Sequence, residues 1–439
     1  MRLLLVYPSG DTLGFSESVA MLEPLGLEYL AAAISKHEVQ ILDLRVEKSL
    51  ADAISAWEPD VVGITGFTHH APKVISLSKE VKAISQEIKV VVGGHHATFM
   101  PESFMIPSID AVARGECESI IEPILDSIGS PEALSKIPGL IYRNKSEWSS
   151  NNGWPSSIFQ SLVARHNMVD ASHYHALGIT CSLMLATRGC PYQCNFCDAR
   201  KFYRGKYQVR EVDKVVEEVR MLPTKLVGML DENIGINRHY LESLVSALTE
   251  CGIKKRYITT IGVREILKNM ALLDRWFDIG LRALFIGLER VDDEGIARLG
   301  KRCTVSMNNA AVSYIHSRGG IVMGSFIVLP TDTEDDFKRL EEYIRSHQID
   351  IPIICILTPF PGTDLWVECP VKSDDFSQYD ILHAVIPTSL PEASFYRHFH
   401  YLYTTVNLQR LVWKMVKSMG VGGWLLRLPR VRTGVKRIT

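Results

Sequence analysis

Short, wholly apolar runs alternate with amphipathic helical stretches from the second residue to about residue 360. "RLLLVYP", "EVQILDL", "DVVGITGF" and "KVVVGGHH" are such runs, each ending in turn residues. Between them, "EPLGLEYLAAAISK" and "APKVISLSKEVKAIS" carry apolar residues at helical spacing. A strand that is apolar on both faces must be covered on both faces, so the pattern predicts parallel sheet flanked by helices. With right-handed crossovers, residues 1–128 form an open, doubly wound, Rossmann-like α/β domain.

Ligands of such sheets bind beyond the carboxyl ends of the strands. Here those ends read "YPSG", "TGFTHH", "GGHHATF" and "RGECE". Gly63, Gly66, Gly93 and Gly94 let the backbone approach a bulky ligand closely, although glycine is also the ordinary residue of such turns. G-x-G-x-x-G is missing after the first strand, which argues against a nicotinamide dinucleotide. His69, His70, His95 and His96 are poor metal ligands, because adjacent histidines rarely point at one centre; a surface or ligand-wall role is expected.

The totals narrow the class. Net charge is −2, against a nucleic-acid partner. "MRLLLVYPSGD" reads as a first buried strand, not a signal peptide, and no apolar stretch reaches the roughly 18 residues of a membrane span. Nine cysteines, an odd number without an even framework, suggest reduced thiols and a cytoplasmic chain.

Three of those cysteines fall in "RGCPYQCNFC", with spacing C-x3-C-x2-C at Cys190, Cys194 and Cys197. Structural zinc usually takes two C-x2-C pairs, and a redox C-x-x-C has no need of Cys190. An iron–sulfur cubane with three thiolate ligands leaves one iron open. The strand–helix alternation resumes at the motif and gives six units over residues 183–360, with chemistry expected at the strand C-termini as in any parallel barrel.

The spacing, with Phe196 just before the last cysteine, resembles the signature of the radical S-adenosylmethionine enzymes. That resemblance implies a partial (β/α)6 TIM-type barrel and a 4Fe-4S cluster on Cys190, Cys194 and Cys197. The cluster's unique iron holds S-adenosyl-L-methionine, and reductive cleavage gives a 5′-deoxyadenosyl radical. An external electron donor such as flavodoxin or ferredoxin follows from it. Several strand ends resemble the family's cofactor-holding positions: "LDEN" (Asp231, Glu232, Asn233), Arg264 in "GVRE", Glu289 in "FIGLE", and Lys301. Carboxylates suit an ammonium and ribose hydroxyls, and Arg264 or Lys301 suits a carboxylate. As an alternative, Glu289–Arg290 and Lys301–Arg302 are solvated surface charges.

"EPLGLEYLAAAI", "PDVVGITGF", "VVVGGHHATFMPE" and "IDAVARGECE" resemble the cobalamin-binding domain that precedes the barrel in one branch of that family. The branch includes anaerobic Mg-protoporphyrin ester cyclase, hopanoid methylases and antibiotic-pathway C-methyltransferases. The resemblance covers about residues 1–370 and implies cobalamin beside Thr65, Gly66, Gly93, Gly94, Gly115 and Glu116. One departure is clear: "YPSGDTLGFSESV" lacks the histidine of D-x-H-x-x-G. Cobalamin then sits without a protein ligand on its lower face, or the domain binds no corrin.

Residues 129–180 read as a linker with a small hairpin at "GLIYRN", residues 181–370 as the barrel and 371–439 as a helical C-terminal region. From residue 397 onward there are nine Lys/Arg and no acidic residue, mixed with Trp413, Trp424, Leu425 and Leu426. Such a mix makes a cap helix over the barrel or a peripheral contact with an anionic membrane. Phe67, Phe99, Phe202, Tyr203, Phe360 and Trp366 line a pocket or fill the core. Three functions are carried forward: cobalamin-dependent C-methylation of a small or medium natural-product, lipid or tetrapyrrole substrate; another radical reaction such as ring formation; and a non-enzymatic cobalamin- or zinc-binding module.

Overall fold

The computed structural model describes residues 1–10, 20–47, 49–176, 178–369 and 371–406. The strands of the N-terminal part are β1 (Arg2–Tyr7), β2 (Ala20–Met21), β3 (Glu38–Asp43), β4 (Val61–Thr65), β5 (Lys89–Gly93), β6 (Ala111–Ala113), β7 (Leu140–Asn144) and β8 (Glu147–Ser150). All but β2 form a seven-stranded sheet in the order β3-β1-β4-β5-β6-β7-β8. The pairings from β3 to β6 are parallel, while the hairpin β7–β8 runs antiparallel on the β6 edge. That hairpin is the one expected at "GLIYRN".

Residue parity explains why the inner strands β1, β4 and β5 are apolar on both faces. Leu4, Val6, Val62, Ile64, Val90 and Val92 face helices Leu50–Trp57 and Ala71–Ile84. Leu3, Leu5, Val61 and Val91 face Leu27 and Ala31 of helix Leu25–Ala32, together with Ile121 and Ile124 of helix Ile121–Ser127. Strand order reverses between β1 and β4, which opens a crevice beyond their carboxyl ends.

The C-terminal part contains β9 (His175–Ala176), β10 (Ile179–Met184), β11 (Thr187–Arg188), β12 (Gln208–Val209), β13 (Leu226–Met229), β14 (Arg256–Thr260), β15 (Leu281–Glu289), β16 (Ile321–Val328) and β17 (Ile351–Ile356). Its main sheet is ordered β17-β16-β15-β14-β13-β10-β9-β2, with β11–β12 a separate pair. From β10 to β17 every pairing is parallel, giving the six expected strands of an open half-barrel. At its edge β9 runs antiparallel to both β10 and β2, so a segment of the N-terminal part completes the barrel sheet. The sequence reading did not anticipate this.

The barrel's helices form where the apolar spacing placed them. Helix Val212–Met221 buries Val215, Val216 and Val219; helix Arg238–Glu250 is capped by Asn237, which accepts from the Tyr240 N–H. Helix Glu334–Ser346 starts in a capping box of Thr333 and Asp336. The C-terminal helix Glu392–Tyr401 buries Phe395 and Phe399 in the barrel core, with the Phe395 ring 5.5 Å from Phe337. Residues 407–439, including Trp413, Trp424, Leu425 and Leu426, lie outside the described residues, and so does the expected membrane contact.

Candidate functional site

The cysteine loop leaves the carboxyl end of β10 and is fixed at both ends. Asp231, just past β13, accepts from the Ala186 N–H at 3.2 Å and from the Thr187 hydroxyl at 2.6 Å. Gly189 takes φ 85, and its N–H donates to Glu232 Oε2 at 2.8 Å. Farther along, the Asn195 side chain donates to the Arg298 carbonyl at 2.9 Å, and the Asn195 carbonyl accepts from the Leu365 N–H at 3.2 Å. Gly300 (φ 71) packs under the loop; a Cβ there would stand 2.6 Å from the Gln193 carbonyl oxygen. A side chain at 300 would push the loop away.

Cys190, Cys194 and Cys197 line a cavity of about 370 Å3 inside the carboxyl end of the half-barrel. All three thiols are free. A cubane cluster takes one thiolate on each of three irons and leaves the fourth iron open. Burial pushes the Cys190 thiol up to about 11. The donor set, three thiols on one loop facing one cavity, fits a 4Fe-4S cluster.

Polar groups converge on the same cavity from successive strand ends. Glu232, Asn233, Arg264, Glu265, Glu289 and Lys301 line it. Lys301 Nζ lies 2.7 Å from Glu289 Oε1 and donates to the Gly287 carbonyl at 3.2 Å. Burial pulls the Lys301 pKa down, but Glu289 and then the Cys194 thiol outweigh it, and the ammonium stays charged. A β-bulge at Gly287/Glu289 turns this carboxylate inward. Arg264 faces the Tyr192 ring at 6.0 Å. Tyr192 donates to Glu265 Oε1 at 2.5 Å, and the Asn233 amide donates to Glu265 Oε2 at 3.2 Å. The remaining wall includes Phe285, Ile327, Ile356, Leu357, Phe360 and Ile381.

Four of the five residues expected around S-adenosylmethionine (Glu232, Arg264, Glu289 and Lys301) therefore meet in one cavity. Asp231 is the correction. It is 1% exposed, does not line the cavity, and holds the Ala186–Thr187 turn instead. Burial pushes its carboxyl up to about 7. Nor are Glu289 and Arg290 solvated charges: both are buried, and Arg290 pairs with Asp332 at 2.6 Å. Glu265, Tyr192 and Cys355 were missed. Cys355 lies on an apolar strand with no motif around it, but Glu265 follows Arg264 directly in "GVRE".

A second cavity, about 420 Å3, opens beyond the carboxyl ends of β1, β4 and β5. Thr65, Gly66, Gly93, Gly94, Gly115 and Glu116, the residues expected beside cobalamin, all line it. Gly94 has φ 102, and a Cβ there would come 2.7 Å from Thr65 Oγ1; at Gly115 (φ 80) it would meet the Trp154 ring at 2.8 Å. Both positions therefore require glycine, because a side chain would collide with the neighbouring packing, and they present backbone to the cavity. The opposite wall is Leu183, Leu185, Arg188, Phe202, Tyr203 and Leu230, so the cavity lies between the two sheets. Arg188 reaches across to Glu116 at 3.1 Å and Glu118 at 2.7 Å.

The other candidates divide. Phe67, Phe202 and Tyr203 line the second cavity and Phe360 the first. Phe99 packs against Phe202 and Gly362, and Trp366 against Phe376 and Tyr379, outside both. His95 is a wall residue; it stacks on Phe202 and lies 3.0 Å from Asp198, the neighbour of Cys197. His70 and His96 are buried rather than superficial, and burial lowers them to about 3 and about 4.

Comparison with known proteins agrees with this division. Residues 15–125 match the B12 binding domain and residues 184–344 the Radical SAM superfamily, together more than half of the chain. Hopanoid C-3 methylase of Methylococcus capsulatus is 29% identical over 97% of this chain and 84% of its own. Bacteriochlorophyllide d C-12(1)-methyltransferase of Chlorobaculum tepidum is 27% identical over 94% and 87%. Anaerobic magnesium-protoporphyrin IX monomethyl ester cyclase of Cereibacter sphaeroides is 26% identical over 90% and 67%. The radical S-adenosylmethionine methyltransferase TsrM of Kitasatospora setae, solved with cobalamin and a 4Fe-4S cluster, has the same fold, with a TM-score of 0.65, 18% identity and coverage of 84% and 74%. No helix among the described residues is long and apolar enough to cross a membrane. With a B12 binding domain followed by a radical half-barrel that carries three cysteines at its mouth, the chain belongs to the cobalamin-binding branch of the radical S-adenosylmethionine enzymes.

Proposed function

We propose that this enzyme methylates an unactivated carbon of a largely apolar substrate, with cobalamin as the methyl carrier. The observation that carries this is the shared wall. One stretch, Arg188 to Tyr203, supplies the cysteines to the first cavity and Arg188, Phe202 and Tyr203 to the second. The bound groups supply one-electron chemistry on S-adenosylmethionine and a transferable methyl group. The chain's own residues bind and orient. Cys190, Cys194 and Cys197 hold the cluster; Lys301 and Arg264 suit the carboxylate of S-adenosylmethionine, and Glu232 suits its ammonium. Phe285, Ile327, Ile356 and Leu357 keep water from the reacting carbon and accept apolar substrate.

This reading brings with it an external donor of the flavodoxin or ferredoxin class and a reducing, cytoplasmic setting. The methyltransferase names of two relatives support it. A second reading, ring formation, draws on the likeness to the cyclase. Product counting separates them in anaerobically reconstituted enzyme carrying cobalamin. Methylation yields S-adenosylhomocysteine and 5′-deoxyadenosine in nearly equal amounts. Deoxyadenosine without S-adenosylhomocysteine would leave ring formation standing. Undiminished deoxyadenosine from a C190A/C194A/C197A variant would overturn both.

A further inference from the structure

A buried ionic cluster lies where the N-terminal domain, the linker and the barrel meet, at the edge of the second cavity, which its Glu23 also lines. Glu23 precedes helix Leu25–Ala32 and Glu28 lies within it; His166 comes from the linker and Glu218 from helix Val212–Met221. His166 Nδ1 lies 2.9 Å from Glu28 Oε2 and 3.8 Å from Glu23 Oε1. Its other nitrogen, Nε2, lies 3.1 Å from Glu218 Oε1. Glu218 is itself fixed by Arg210 at 2.7 Å and by the Tyr29 hydroxyl at 3.2 Å.

We propose that Glu23, Glu28 and His166 Nδ1 bind a divalent transition-metal cation, Zn2+ by its ligand chemistry, as a clamp between the two domains. One ligand-capable atom from each lies within 4.8 Å of the other two, and among the described residues no other set of three histidine, cysteine or acidic side chains converges so closely. Tetrahedral ligands around zinc stand roughly 3.4 Å apart, between the two distances measured from Nδ1. Imidazole with carboxylates is a nitrogen–oxygen set that zinc accepts and that magnesium or calcium would not prefer.

Two further observations point to a cation. Glu28 is fully buried, and its Oε1 has no hydrogen-bond partner. Leaving such an oxygen bare is costly unless a positive charge faces it. Moreover, Glu218 is an anchored acceptor that orders the imidazole. With the Nε2 proton given to Glu218, a metal would replace the proton that Nδ1 otherwise shares with Glu28, the carboxylate–histidine–metal arrangement. A proton on Nδ1 would serve one oxygen of Glu28, whereas a dication serves both carboxylates. Charge then balances, with Glu23, Glu28 and Glu218 against the metal and Arg210.

The test uses full-length holoenzyme, reconstituted so that iron occupies the cysteines, then loaded with Zn2+ and desalted. Elemental analysis should find about one zinc per chain beyond the iron. C190A/C194A/C197A protein should retain that zinc, and E28Q or H166Q should lower it by about tenfold or more. Co2+ in the same site should give ligand-field absorption without a thiolate charge-transfer band, a reading that needs no variant to fold. Chain that retains neither Zn2+ nor Mn2+, zinc retained equally by E28Q and H166Q, or a cobalt spectrum with thiolate bands would each overturn the proposal.

Discussion

Glu289 has φ 62, in the left-handed region where residues other than glycine are strained. The bulge that imposes this angle also points its carboxylate at Lys301, and an unbulged strand would carry it elsewhere. Removing one partner of a buried charge pair in a binding site costs about 2–5 kcal/mol. Glu289→Gln should therefore raise the Kd for S-adenosylmethionine at least about tenfold, measured by equilibrium dialysis on reconstituted enzyme, with iron content unchanged. At this scale the cysteines were legible in the sequence because their spacing is local. Asp231 was not. An acidic residue at a strand end reads the same whether it faces a ligand or anchors the next turn. What distinguishes the two is the contact with Ala186 and Thr187, more than forty residues back.

Among the elements, β5, β6 and β7 are tied together by one carboxylate. Asp110 accepts from the Val90 N–H at 2.9 Å, from Lys82 at 2.7 Å and from Arg143 at 2.9 Å. Burial alone would raise its pKa; the Lys82 and Val90 hydrogen bonds overcome that and hold it below the usual 3.8. The stability it contributes is fully present above pH 3.8 and is lost as pH falls through the depressed folded value. Asp110→Asn should lower stability at neutral pH, and the acid-unfolding curves of the two proteins should converge only as pH falls from 3.8 through the depressed folded value, followed by circular dichroism. The long strands and helices were readable from apolar spacing. By contrast, β2 and β9 are two residues each, too short for any period, and they exist because distant segments supply their partners.

Over the whole molecule the two sheets present their carboxyl ends to a common seam, crossed by Arg188. Its guanidinium, 6% exposed in the side chain, meets Glu116 and Glu118 and faces the Phe159 ring at 4.2 Å. Cutting one partner out of a buried charge network costs about 3–5 kcal/mol. Arg188→Ala should lower Tm by several degrees and reduce the cobalamin retained after desalting, followed by visible absorbance. Sequence could name the residues on each side of this seam but not their meeting, since Glu116 and Arg188 belong to different folding units.

The stretch from Arg188 to Tyr203 also makes the two prosthetic groups share one fate. Oxygen attacks exposed iron–sulfur corners first, and iron loss would release the peptide that fences in the corrin. Air-treated enzyme, desalted at intervals, should therefore lose its iron and its protein-bound cobalamin in a single phase. Two independently housed groups would instead leave at separate rates.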